Sequence, residues 1–243
     1  ILKRLITRLP PGSRPSAARV VNHLYSLAGF ANESNSKIRR FNLGYWNLAR
    51  FARTRSLDDF LDRFESHLQL TVAEYAPGHV FVHAGVVEWK GRAIVIPGMS
   101  FSGKSTLVAA LLGAGATYYS DEYAVLDEHG RVHPYARDLK IRLAEKARVE
   151  RLRPEQFGAR IGSKPLGVAL VVSTSFKNGA RWRPRELTPG KAALELLANT
   201  VSARSQPEMA LSFLPKALES ARILKGVRGE ASEIVESILK KID

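Results

Sequence analysis

Residues 92–112 read Arg-Ala-Ile-Val-Ile-Pro-Gly-Met-Ser-Phe-Ser-Gly-Lys-Ser-Thr-Leu-Val-Ala-Ala-Leu-Leu, and their order decides the fold. The apolar run Ala93 to Ile96 is the pattern of a buried strand, which Pro97-Gly98 ends. Lys104 to Leu112 reads as a helix stopping near Gly113 and Gly115. Between them, Gly98 to Ser105 satisfies GxxxxGKS/T in full, and Thr106 extends it. Glycines at those positions let the backbone curl so that successive N–H groups converge at a helix N-terminus, where a phosphate is favoured. A lysine at position 104 supplies a point charge to the β- and γ-phosphates, and the Ser105 hydroxyl can ligate Mg2+. Gly98, Ser100, Ser102, Gly103, Lys104, Ser105 and Thr106 are therefore the expected binding residues for ATP with Mg2+.

Upstream, Phe81 to Trp89 is a second β run, joined to Arg92 by Lys90-Gly91, and so short a glycine-containing link predicts an antiparallel hairpin. Downstream, Thr117 to Ser120 and Tyr123 to Asp127 read as short strands, with Asp121 and Glu122 at the mouth of a hairpin. An acid after an apolar strand beyond such a loop is where a metal ligand or a general base sits, although both acids also suit a turn. Asp127 is a rival, ranked lower because Glu128-His129-Gly130 makes it a hairpin end. His83 lies mid-strand among apolar residues, a setting shared by core and catalytic histidines. Arg131 to Tyr135 and Arg181 to Leu187 read as strands. Leu166 to Ser173 is nearly all apolar, as in a central strand buried on both faces. Helices are expected over Pro189 to Thr200, Glu208 to Leu218 and Ser232 to Ile242.

The first 20 residues are basic, carry Pro10, Pro11 and Pro15, and read as an arm or a strand with a loop. From Leu57 to Ala73 apolar residues recur every three or four positions, an amphipathic helix with Ser56 as N-cap and Asp58 and Asp59 in its first turn. Pro77-Gly78 ends it, which divides the chain into an N-terminal appendage, 1–78, and a catalytic domain, 79–243. The 243 residues carry a net charge of +14 and no cysteine. Absence of cysteine excludes disulfides and thiolate metal sites and favours a reducing interior such as the cytoplasm. No apolar run approaches the roughly 18 residues that a bilayer span needs. Residues 1–70 contribute +7, 71–127 contribute −2 and 128–243 contribute +9, so positive charge flanks the loop. Such a field attracts an acidic peptide, a nucleotide, nucleic acid or a lipid surface.

The stretch His83-Ala84-Gly85-Val86, the hairpin, the GxxxxGKS loop, Gly115-Ala116 and Ser120-Asp121-Glu122 resembles the C-terminal kinase domain of HPr kinase/phosphorylase. A fainter echo is Pro189-Gly190-Lys191 opening a helix, then Ala198-Asn199 and Arg204, so that the match spans roughly residues 80 to 205. The resemblance implies an α/β kinase domain with a phosphate loop, related in fold to phosphoenolpyruvate carboxykinase, its mixed sheet flanked by helices beside a small N-terminal α/β appendage. It implies Asp121 as the base toward a seryl hydroxyl, Glu122 as the second acid, Ser105 and Asp121 as holders of Mg2+, and His83 near the acids. The second acid is Glu where that family has Asp. Pro134 to Leu139 stand where the family has a Glu-Val/Ile-Arg-Gly stretch tied to its reverse reaction. What the resemblance implies is thus a kinase-only relative, of the kind that includes serine kinases of lasso-peptide precursors.

On these grounds the expected activity is transfer of the γ-phosphate from ATP to a serine of a protein or peptide acceptor, an acidic one fitting the basic flanks. Arg137, Lys140, Arg142, Arg185, Lys191 and Arg204 are candidates for charge stabilisation or acceptor docking, Arg137 and Lys191 first. Alternatives are an NTPase driving a partner, a small-molecule kinase, and a nucleic-acid-binding module that leaves the complete loop unexplained. No LSGGQ-like or Asn-Lys-x-Asp stretch occurs, which argues against transporter and GTPase forms. A homo-oligomer is compatible with all of these.

Overall fold

The structure, a computed structural model, describes residues 2–29, 40–99, 102–142 and 149–242. It separates into two compact units, residues 1–73 and 74–243. In the first, the short helix α1 (Leu2–Ile6) precedes β1 (Tyr25–Ala28), β2 (Asn42–Trp46) and β3 (Ala49–Thr54), an antiparallel sheet in that order. Asn47, at a positive φ of 50°, lets the chain reverse between β2 and β3. Helix α2 (Leu57–Tyr75) follows, and the Ser56 hydroxyl accepts the Asp59 N–H at 3.3 Å, as its N-cap role requires. Phe60 and Leu61 of α2 are fully buried with Ala52 of β3. The basic start of the chain is tied to the acidic face of α2: Arg4 pairs with Asp58, and Arg8 with Asp62 and Glu65. The sequence led to an arm plus a helix here; the three-stranded sheet is a finding of the structure.

The second unit is built on β4 (Val80–Trp89) and β5 (Arg92–Pro97), an antiparallel pair closed by Lys90 and Gly91, whose φ values of 52° and 77° make the tight reversal. Helix α3 (Lys104–Gly113) is followed by β6 (Thr117–Ser120), β7 (Tyr123–Leu126), β8 (Val132–His133) and the hairpin β9 (Leu139–Arg142) and β10 (Val149–Leu152). Then come β11 (Val168–Phe176), β12 (Arg185–Glu186), α4 (Pro189–Leu197), α5 (Pro207–Leu218), β13 (Arg222–Arg228) and α6 (Val235–Leu239). The main sheet runs β12-β13-β11-β5-β4-β7-β8, with β6 also on β4. It is mixed: β11 is parallel to both β5 and β13, and the other pairs are antiparallel. The expected central strand is β11, whose Leu170 faces one core and Val171 the other.

Helices cover both faces. Leu196 of α4 and Leu214 of α5 pack with Val82, Val95 and Val171, whereas Leu107 and Leu111 of α3 and Ile238 of α6 pack with Ile94, Ile96 and Leu170. Strands expected over Arg131 to Tyr135 and Arg181 to Leu187 shrink to two residues each, and β9, β10 and β13 are strands that the sequence reading did not anticipate. No described helix is long and apolar enough to cross a membrane.

Candidate active site

Strand β5 delivers the chain through Gly98 into the loop, and Gly103 returns it to α3 in the left-handed region, at φ 86° and ψ 15°. Having no side chain, Gly103 cannot cap α3, and no side-chain cap bond is present. The amides of Lys104, Ser105 and Thr106 are thus the orphan donors that every helix N-terminus leaves, and they carry the positive end of its dipole. Gly98 is close-packed as well: a Cβ there would lie 2.6 Å from the Ser102 hydroxyl oxygen. Ser100 falls outside the described residues. Because β5, β11 and β13 are parallel, their carboxyl ends share one edge, and the crevice beyond such ends is where ligands bind in open α/β sheets. The loop lies at that edge.

Asp121 and Glu122 are not at a hairpin mouth. β6 and β7 both pair antiparallel with β4, His83 opposite Tyr123 and Val86 opposite Ser120, so the two strands are one line interrupted for two residues. The Ser120 hydroxyl accepts the N–H groups of Glu122 and Tyr123 at 3.2 and 3.0 Å, and the Ala84 N–H donates to the Glu122 carbonyl at 3.2 Å. Those bonds hold the break in shape.

Asp121 is 5% exposed, and its Oδ1 has no hydrogen-bond partner. Burial is the largest influence on its carboxyl and pushes it up to about 6, against the opposing pull of the Ser105 hydroxyl, the Lys104 charge and the Lys140 main chain. Burial lowers the Lys104 ammonium, which Asp121 and Glu122 draw back up. In this structure Lys104 Nζ donates to the Met99 carbonyl at 3.3 Å. Glu122 receives an ion pair from Lys140 Nζ at 3.2 Å, so one β9 residue steadies both acids, through its main chain and its side chain. His83 joins them: burial lowers its imidazole, Lys104 lowers it further and Glu122 raises it, and its ring lies against Tyr123 with centroids 4.9 Å apart. The His83 N–H donates to the Asn199 carbonyl at 2.7 Å, and its own carbonyl accepts the Gly98 N–H at 3.1 Å.

His83, Lys104, Ser105, Asp121 and Glu122 therefore share one electrostatic neighbourhood. Asp127 belongs elsewhere: burial would raise its carboxyl, but bonds from the His133 ring, the Arg131 main chain and side chain and the His129 main chain hold it well below the usual carboxylate range. It is the turn residue that its setting predicted. Arg137 is half-buried, and its charge eases the upward pressure on the Tyr123 hydroxyl. Lys191 and Arg204 are exposed, and no hydrogen bond or ion pair among the described residues ties either to the loop. The side chain of Arg142 is outside the described set, and Arg185 lies on β12, its charge felt by Glu195.

One residue beside the loop escaped sequence reasoning. Arg228, at the end of β13, is 1% exposed; its Nη2 donates to the Gly103 carbonyl at 2.8 Å and its Nη1 to the Gly229 carbonyl at 2.8 Å. Its guanidinium lies 5.5 Å from the centre of the Phe176 ring. The usable signal was the Ile223-Leu224 pair in a short run closed by Gly229.

The donor set suits a hard cation, since Ser105 and Asp121 offer oxygen and the buried Oδ1 is unpartnered. No group of three or more His, Asp or Glu among the described residues forms a metal cage. Magnesium is commonly held by one or two protein oxygens together with phosphate oxygens and water.

No family model matches the chain, and no curated protein does. Among solved structures it is similar to the HPr(Ser) kinase/phosphatase from Coxiella burnetii, at 15% identity over 66% of this chain and 93% of that one, with a TM-score of 0.36.

Proposed function

We propose that this protein is an ATP- and Mg2+-dependent kinase that transfers the γ-phosphate to a serine hydroxyl of a protein or peptide acceptor. The observation that carries the reading is the buried Asp121, its Oδ1 unpartnered and its carboxyl pushed up to about 6, beside Lys104 and Ser105 at an uncapped helix start. The amides of residues 104–106 and the Lys104 ammonium bind the phosphates and hold the γ-group in line. Ser105 and Asp121 would hold Mg2+, which when bound neutralises charge on the phosphates. Asp121 takes the proton from the acceptor O–H as the new O–P bond forms. The bond between the γ-phosphorus and its bridging oxygen breaks, and ADP leaves. A carboxylate raised toward neutrality is a better proton acceptor than an exposed one, and still ionised at pH 7. Glu122, paired with Lys140, and His83, its imidazole lowered by burial, share its electrostatic surroundings.

Incubation with γ-labelled ATP, Mg2+ and serine-containing peptides tests this directly. The expected result is label on the acceptor serine, lost in Asp121→Asn by on the order of 10²–10⁴-fold while nucleotide binding persists. Lys104→Ala is expected to weaken nucleotide binding by roughly 10–100-fold, the worth of one charge-assisted bond. Phosphate released without any acceptor, and unchanged by Asp121→Asn, would replace transfer with hydrolysis by another base.

A further inference from the structure

We propose that Arg228 is a positioning residue for polyphosphate binding: from the end of β13 it anchors the Gly103 carbonyl and sets a buried positive charge beneath the start of α3. The inference rests on the phosphate-loop reading above and adds the strand that the loop depends on. Arg228 is among the largest fully buried side chains of the molecule. Two of its guanidinium nitrogens are spent on main-chain carbonyls, and Nε is buried with no partner at all. No carboxylate is within ion-pair distance among the described residues; Glu230 acts on it only as a more distant charge.

A buried cation without a counter-ion is costly, and structures keep one only where something else repays it. Here its Nη2 bonds the carbonyl of the last glycine before Lys104, the same oxygen that accepts the Leu107 N–H at 3.2 Å in the first turn of α3. Holding that peptide plane fixes the direction of the Lys104 amide, the first of the helix. The packing is close enough to exclude any side chain at position 103, where a Cβ would lie 2.5 Å from Nη2. A polyanion resting on that amide supplies the missing negative charge across a single peptide unit. Arg228 does not touch the ligand in this scheme; it acts through Gly103.

Calorimetric titration of the full chain with Mg·ATP, Mg·ADP and inorganic tripolyphosphate tests the proposal on Arg228→Met and Arg228→Lys, with circular dichroism as the check on folding. In Arg228→Met the expected loss is roughly 10–100-fold for ATP and tripolyphosphate and smaller for ADP, because the effect follows ligand charge. Arg228→Lys, which keeps charge and loses the fork, is expected to recover part of it. The difference should survive 0.5 M salt, since a buried charge is poorly screened. Equal binding by folded Arg228→Met overturns the proposal. If that variant does not fold, Arg228→Lys decides: affinity equal to wild type for all three ligands overturns it, and a loss that grows with phosphate number supports it. Wild-type protein that binds none of the three sinks the phosphate-loop reading itself, which is a different failure.

Discussion

A buried carboxyl at Asp121 has a consequence for stability that can be measured without any ligand. Its value in the folded chain, about 6, is above that of a free aspartate, so the folded state holds the proton more tightly than the unfolded one. The stabilisation is therefore complete in acid, below the ordinary carboxylate value, and is lost as pH rises through about 6. At pH 8 the nucleotide-free protein bears the cost of an ionised buried group. Asp121→Asn removes it and is expected to stabilise the apo protein at pH 8 by about 3 kcal/mol, a gain that shrinks to a small fraction of that near pH 4. Asp127 has the opposite sign, its depressed carboxyl contributing stability that falls away in acid, and it is common to both proteins. Thermal melts of the pair across pH 4–8 check this; an asparagine variant less stable at pH 8 would mean that Ser105, Lys104 and the Lys140 main chain outweigh burial at the carboxylate.

Among the elements, β4 and α3 set the distance between the acids and the loop. Gly85 stands opposite the break at Asp121, and a Cβ on it would lie 2.5 Å from Val108 Cγ2 on α3. Gly85→Ala is expected to push α3 outward, cost roughly 1–3 kcal/mol in urea unfolding and weaken nucleotide binding, because α3 carries Lys104 and Ser105. Val108→Ala in the same chain should restore much of both; non-recovery in the double variant would show that the strain lies elsewhere. The hairpin β4–β5, helix α3 and central strand β11 were legible because glycine punctuation and unbroken apolar runs leave one reading. β13 was not, since Arg222, Lys225, Gly226 and Arg228 interrupt its alternation and helices lie on both sides in sequence. It is a strand because β11 pairs with it in parallel from Leu170 to Phe176, a tertiary fact with no local trace. The same holds for the Asp121–Glu122 break: two acids between apolar runs suggest a turn, and only the long partner β4 shows that the line continues.

For the molecule as a whole, charge and architecture divide the work. The net +14 is not uniformly available, since Arg4 and Arg8 are paired with acids of α2 within their own unit. The second unit gathers its parallel strands so that β5, β11 and β13 end at one edge, with the glycine-rich loop after the first and the buried Arg228 on the last. The antiparallel β4, paired with β6 and β7 on either side of Asp121 and Glu122, then brings these acids to the same place from the other side. The most direct test is a crystal structure with a non-hydrolysable ATP analogue and Mg2+. It is expected to show the phosphates against the amides of residues 104–106 and Lys104 Nζ, with the Asp121 carboxylate reaching the cation. Nucleotide bound elsewhere, or Asp121 turned away from occupied phosphates, would contradict the assignment.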